Sequence, residues 1–261
     1  MSIWKYAACL PELDPVHRVT LGEGQTPLVA SRRLGAELGV PRLAFKLETT
    51  NPTGSYKDRF AAAALSHLRA AGRQCCLGTS SGNTGAAVAA YAAAAGLPCL
   101  LAIVDTAPEG KLRQMLAYGA RLFRIRNFGL DPAVTQEVMQ GFPALAQRLR
   151  AEVLISAYAY SPLGMAGVET ISHELAAQLP GGIAHVFSPS GGGGLTLAVA
   201  RGFARSASFR PAVHCVQPEG NDTIAGPLRA GAARARAVAD FDISRQTARL
   251  EDFYDEAIRA R

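Results

Sequence analysis

Gln74-Cys-Cys-Leu-Gly-Thr-Ser-Ser-Gly-Asn-Thr-Gly85, with the uncharged run from Ala86 to Val104 that follows it, decides the fold class. Gln74 to Leu77 reads as a short apolar strand, and a loop rich in Gly, Ser and Thr comes next. A helix is predicted from about Asn83, and Cys99-Leu-Leu-Ala-Ile-Val104 reads as a second strand. A strand, a polar loop, a helix and another strand make the repeating unit of a parallel sheet. The uncharged run approaches the length of a membrane span. Gly96 and Pro98 interrupt it, however, and its first part is rich in alanine rather than leucine. A buried helix (roughly Thr84 to Ala95) followed by a buried strand explains it better.

The same rhythm runs outward in both directions. Leu43 to Leu47 reads as a strand and Arg59 to Ala71 as a helix closed by Gly72. Downstream, Lys111 to Tyr118 reads as a helix, Arg121 to Ile125 as a strand, and Asp131 to Arg150 as mainly helical despite Pro143. Val153 to Ser156, His185 to Ser188 and Val213 to Gln217 read as strands, with helices at Gly167 to Gln178 and Leu195 to Phe203. Such alternation predicts an α/β protein with mostly parallel sheets covered by helices on both faces. No fixed-period repeat points to a solenoid. After an Ala- and Arg-rich segment from Arg229 to Ala239 the rhythm fades, and Asp252 to Arg261 reads as a helix end.

Composition narrows the function classes. A hydrophobic fraction of 49% with 18% charged residues is that of a globular protein rather than a disordered one. The net charge of +6 fits an anionic cofactor or substrate, and no aromatic-basic module argues for nucleic acid. Cys9, Cys75, Cys76, Cys99 and Cys215 form an odd set without metal-ligand spacing. They read as free thiols, buried in the case of Cys75 and Cys76, which suits a reducing compartment. Met1 to Leu10 holds no apolar core of signal-peptide length. The expectation is a cytoplasmic protein with no membrane and no nucleic acid partner.

Three strand-to-helix loops carry unusual chemistry, and in open parallel sheets ligands sit at such loops. The first is Asn51-Pro-Thr-Gly-Ser-Tyr-Lys-Asp-Arg59, which places Lys57 in the first helical turn. The helix dipole disfavours a cation there, so the local field should favour a neutral amine able to form a Schiff base. A surface lysine paired with Asp58 remains open on this loop alone. The second loop, Gly78 to Gly85, offers hydroxyls, an amide and backbone N–H groups at a helix start, a seat for a carboxylate. The third, Ser188-Pro-Ser-Gly-Gly-Gly-Gly194, lets the backbone close on an anion such as a phosphate. It has neither the Gly-Lys-Ser/Thr of a Walker loop nor a GxGxxG spacing. An amine, a carboxylate seat and a phosphate seat are what a pyridoxal phosphate enzyme needs for an amino acid.

The sequence resembles the fold-type II pyridoxal phosphate enzymes, and threonine synthase-like members most. The resemblance rests on Leu21-Gly-Glu-Gly-Gln-Thr-Pro-Leu28, Phe45-Lys-Leu-Glu48 with the Asn51 to Arg59 loop, and Ser80-Ser-Gly-Asn-Thr-Gly85. Lys111 to Ala120, Gly164-Met-Ala-Gly-Val-Glu-Thr-Ile171, the tetraglycine loop and Gln217-Pro-Glu-Gly220 continue it in family order. It implies two three-layer α/β/α domains with pyridoxal 5'-phosphate in the cleft between them. Residues 1–45 and 152–261 would form the large cofactor-binding domain, incomplete at its C-terminus, and 46–151 a small mobile substrate-side domain.

By the same resemblance Lys57 carries the cofactor as a Schiff base and shuttles protons at Cα. Asn83 would bond the cofactor's 3′-oxygen. Gly191, Gly192, Gly193 and Gly194 would hold the phosphate, and Thr79, Ser80, Ser81 and Thr84 the substrate carboxylate. Ser55 is read as a turn and cap residue, Lys46 and Glu48 as a strand-end ion pair, and Met165 as core. His17, His67, His173, His185 and His214 show no ligand spacing and receive no role.

The implied activity is lyase or replacement chemistry on a hydroxy- or O-phospho-amino acid. The alternatives are β-replacement or deamination of phosphoserine, serine or threonine, or a non-catalytic cofactor-binding subunit. A homodimer is expected.

The sequence departs from the family pattern at Ala166 and Glu169, where relatives carry an acid and a lysine, and at Phe60, where Gly is common. The hydroxyl residue that faces the pyridine nitrogen in relatives has no counterpart between Arg229 and Arg261. A truncation, a second chain completing the C-terminal part, or a specialised short enzyme would each account for it.

Overall fold

A computed structural model describes residues 2–80, 82–104, 106–206, 209–218 and 223–226. The segments from Arg229 to Ala239 and from Asp252 to Arg261, for which helix or linker was expected, lie outside the described residues. By contacts the chain divides into two compact units, Met1–Thr170 and Ile171–Arg261.

In the first unit, β1 (Leu28–Ala30) pairs antiparallel with β2 (Ala44–Lys46), with the short helix α1 (Leu34–Glu37) between them. Helix α2 (Lys57–Ala70) follows, and then β3 (Cys75–Thr79), α3 (Asn83–Ala94), β4 (Cys99–Val104), α4 (Glu109–Ala117), β5 (Arg121–Ile125), α5 (Pro132–Leu149) and β6 (Ala151–Leu154). The sheet order is β5-β4-β3-β6, and all three pairings are parallel. β3 is central and β5 is an edge. This explains why Cys75 to Gly78 are buried without alternation while β5 shows exposed positions. Thr84 to Ala92 of α3 are buried without a break, so the uncharged run is a core helix. Among the described residues no helix is long and apolar enough to cross a membrane.

One core cluster joins Cys75 and Leu77 of β3, Ala102 of β4 and Ala151 of β6 to Phe142 and Ala146 of α5. Burying a side chain such as Phe142 contributes roughly 1.5–3 kcal/mol. Asp131 caps α5 by accepting from the N–H groups of Ala133 (2.8 Å) and Val134 (3.4 Å), and the helix carries Pro143 internally. α6 (Pro162–Gln178) begins five residues before the helix expected there. Its glycines explain the close passage of α2. A Cβ on Gly164 would come within 2.7 Å of the Phe60 ring, and one on Gly167 would collide with the Arg59 carbonyl. In the second unit, β7 (His185–Pro189) pairs parallel with β8 (Ala212–Val216), and α7 (Gly194–Ser206) connects them.

A buried ion pair fastens the stretch that leads into α2. The Arg59 guanidinium is fully buried and forks onto Glu48, with Nε to Oε2 and Nη2 to Oε1 both at 2.7 Å. Arg59 Nη1 also donates to Thr170 Oγ1 at 3.0 Å and Nη2 to Thr26 Oγ1 at 3.2 Å. Thr26 Oγ1 donates to Glu48 Oε1 at 2.6 Å, and Asn51 Nδ2 to Oε2 at 2.9 Å. The carboxylate is therefore saturated by charge-assisted bonds of good geometry. The strand-end pair expected between Lys46 and Glu48 is corrected here. Glu48 serves Arg59, while Lys46 Nζ donates to the Thr26 carbonyl at 2.7 Å. Arg59 wins because its planar fork matches a carboxylate on two bonds and a lysine cannot.

Removing one partner of such a pair strands a buried charge. Glu48→Gln is expected to lower the free energy of unfolding by about 3 kcal/mol, read from urea unfolding with the slope unchanged. A loss under about 1 kcal/mol, the range of an exposed pair, would count against this account.

Candidate active site

The first turn of α2 presents Lys57, and the loop before it is fixed at each step. Gly54 N–H donates to the Asn51 carbonyl at 2.8 Å, and Ser55 Oγ accepts from Lys57 N–H at 3.3 Å. Ser55 is therefore the turn and cap residue it was expected to be. Asp58 is fully buried and accepts from Thr53 N–H (3.1 Å) and Thr53 Oγ1 (2.8 Å). Burial raises the Asp58 pKa, and the Thr53 bonds offset part of that rise. The alternative of a surface lysine paired with Asp58 is thereby set aside, since Asp58 turns back onto its own loop.

Lys57 Nζ instead donates to Ser156 Oγ at 2.7 Å, a residue 99 positions along the chain. Ser156 Oγ also lies 3.0 Å from Thr84 Oγ1 in the first turn of α3. The amine sits 4.4 Å from the centroid of the Tyr56 ring. Burial lowers the Lys57 pKa from 10.5 to about 8, because desolvation penalises the ammonium form. The same burial pushes the Tyr56 phenol up to about 12.

The parallel pairing of β3 with β6 aligns their carboxyl ends, which brings the loops after Thr79 and Leu154 together. Thr79 and Ser80 are half-buried there, and Ser80 Oγ accepts from Gly82 N–H at 3.2 Å. Thr84 is buried and Asn83 is exposed at the start of α3. Ser81 lies outside the described residues. The loop holding Ser156 is pinned by Ser161, whose Oγ accepts from Ile155 N–H at 3.2 Å and donates to the Val153 carbonyl at 3.4 Å.

Behind Lys57, Tyr91 donates to Glu23 Oε2 at 2.9 Å, and its phenol also faces Asp58. Glu23, Tyr91 and Asp58 are all fully buried. They connect the Leu21 to Leu28 motif to the Lys57 helix.

In the second unit the loop after β7 has the make-up of an anion seat. Gly193 adopts φ +84°, which a side chain rarely tolerates, and Gly194 opens α7. The first helical turn leaves N–H groups without intrahelical acceptors. The Gly191 carbonyl is held by Gln217 Nε2 and Thr223 Oγ1, both at 2.9 Å. Ser190 is buried, and among the described residues its Oγ has no hydrogen-bond partner. A buried hydroxyl without a partner among the described residues, in a loop that leads into a helix start, fits a phosphate. His185 Nδ1 and His214 Nε2 meet at 2.9 Å on neighbouring strands, and Phe187 stacks on His214 with centroids 4.5 Å apart. Among the described residues no group of three His, Cys, Asp or Glu could hold a metal ion.

Comparison with known proteins agrees with this chemistry. The family described as "Pyridoxal-phosphate dependent enzyme" matches residues 19–252. The chain belongs to that family. It is 32% identical over 240 residues to threonine synthase of Methanosarcina acetivorans, covering 88% of this chain and 56% of the relative. It is 31% identical over 221 residues to threonine synthase of a Bacillus species, covering 83% and 60%. Among solved structures, maize serine racemase superposes with a TM-score of 0.69 at 28% identity, covering 80% of this chain and 60% of the other. The chain thus spans about half the length of the curated relatives it matches. The family is pyridoxal phosphate-dependent, of fold-type II, so the α/β reading and the cofactor class inferred from the sequence hold. Ser156 escaped that reading because it was placed at the end of a strand. The Ser161-Pro162 step, which favours a turn, was the available signal for a loop.

A desolvated amine makes a clear prediction. The rate at which an amine-directed reagent modifies Lys57 should rise with pH and level off with a midpoint near 8. Since the unfolded chain binds this proton more tightly, the group's contribution to stability should increase between pH 8 and 10.5 and be least favourable below that window. Quantifying the modified peptide by mass spectrometry checks the midpoint, and one near 10.5 would mean a solvated lysine.

Proposed function

We propose that this chain is a threonine synthase-like, pyridoxal phosphate-dependent lyase or replacement enzyme acting on a hydroxy- or O-phospho-amino acid. The observation that carries the reading is the Lys57 amine, half-buried at a helix start and held at 2.7 Å by a hydroxyl. Pyridoxal phosphate, when bound, supplies the electron sink for the pair left at the substrate's Cα. Lys57 would be the point of attachment and would serve as the base that takes the Cα proton and returns it. Its lowered pKa lets the neutral amine exist near neutral pH, where a base must be free to accept.

Gly191 to Gly194 would hold the phosphate through backbone N–H groups, and Ser190 would add its buried hydroxyl. Asn83 would bond the 3′-oxygen. Thr79, Ser80, Ser81 and Thr84 would receive the substrate carboxylate. The substituent on Cβ or Cγ leaves as water or phosphate with the bonding pair, and in a replacement water adds back its hydroxyl and a proton.

A second reading, β-elimination from serine or threonine with release of ammonia and a keto acid, draws on Glu169. The family resemblance implies a lysine at this place in relatives. Here a buried carboxyl accepts from the Tyr158 phenol at 2.8 Å. A carboxyl in place of an ammonium suits an uncharged leaving group better than a phosphate.

A screen of phosphohomoserine, phosphoserine, serine and threonine, followed by phosphate, ammonia and keto-acid release, separates the two. Phosphate release with threonine formation supports the first reading, and ammonia release from serine or threonine the second. If no substrate changes the bound cofactor's absorbance, or if Lys57→Ala retains turnover, the enzyme reading fails.

A further inference from the structure

We infer that Ser156 is the positioning residue for the Lys57 amine, holding it through a two-hydroxyl chain with Thr84 in both of its protonation states. This rests on the reading of Lys57 as the base. Ser156 Oγ is 2.7 Å from Lys57 Nζ and 3.0 Å from Thr84 Oγ1, which places it between the amine and the start of α3. Its own position is set from elsewhere, by the Ser161 bonds to Ile155 N–H and the Val153 carbonyl and by a 2.7 Å bond from Ala157 N–H to the Ile155 carbonyl. The hydroxyl is therefore pre-placed, and Lys57 comes to it.

The residue type matters. A lysine that acts as a base alternates between an ammonium, which only donates, and a neutral amine, which also accepts. A carboxylate or a carbonyl beside it would only accept, and would favour the charged form alone. A hydroxyl has one proton and two acceptor sites, so it accepts from the ammonium and turns to donate to the amine. Thr84 is a hydroxyl too, and either atom of the Ser156–Thr84 pair can be the donor. The chain can thus reverse direction without gaining or losing a proton. With Ser156 on one side and the Tyr56 ring 4.4 Å away on another, Nζ has few directions left in which to meet a substrate proton.

Hydrogen bonds to charged groups are stronger than neutral ones by about 1 kcal/mol, so the chain stabilises the ammonium more than the amine. In the full-length chain without cofactor, Ser156→Ala should lower the midpoint of Lys57 modification by about one pH unit. Ser156→Thr, which keeps the hydroxyl, should restore the wild-type midpoint. Thr84→Val should shift it in the same direction as Ser156→Ala, but less. An unchanged midpoint in Ser156→Ala would overturn the inference, and so would a Ser156→Thr shift as large as that of Ser156→Ala. The titration needs no substrate, so a failed substrate screen leaves it intact. Conversely, turnover with an unshifted Ser156→Ala midpoint removes this inference alone.

Discussion

The fork between Arg59 and Glu48 is the constraint on which the lysine-bearing segment depends. It joins a residue one turn into α2 to the segment just after β2, and each of the remaining contacts on either partner reaches another part of the same unit. Thr26 comes from the Leu21 to Leu28 motif, Asn51 from the loop before Lys57, and Thr170 from α6. A buried charge of either sign would be costly alone, and here each is neutralised on two bonds. The pair does little for net stability by itself, since hydrophobic residues could fill the same space. What it provides is a single position for the start of α2. With that start fixed, Lys57 is committed to one direction.

Packing supports the same end. Gly164 and Gly167 let α6 run against the Phe60, Ala63 and Ala64 face of α2, and Tyr91 connects α3 to Glu23 and Asp58. Phe60 is accommodated because Gly164 opposite it has no side chain. Lys57 is thereby surrounded by groups that are themselves held, and its desolvation follows from packing rather than from any one charge.

Much of the fold was legible in local sequence. Cys99 to Val104 and Arg121 to Ile125 are strands within the bounds expected, because Pro98, Gly119 and their neighbours punctuate short apolar runs. The loops at Lys57, Asn83 and the four glycines announced themselves by composition. Ser156 did not, since a serine two residues past a strand looks like its end until β6 is seen to stop at Leu154. The partner of Glu48 was equally hidden: Lys46 is only two positions away, but the fork belongs to Arg59, and pairwise choice among charges is made by tertiary geometry. β1, three residues long, was missed because its pairing with β2 rather than its own pattern defines it.

The separations along the chain within this site have a consequence for synthesis. Lys57 meets Ser156 across 99 positions, and Arg59 meets Thr170 across 111. Contacts this distant in sequence close late, after the cost of looping the intervening chain has been met. A ribosome-bound chain ending before Ser156 carries the lysine but not its surroundings, so the amine keeps ordinary basicity. The lowered basicity of the amine arises as the later parts of the unit pack around it.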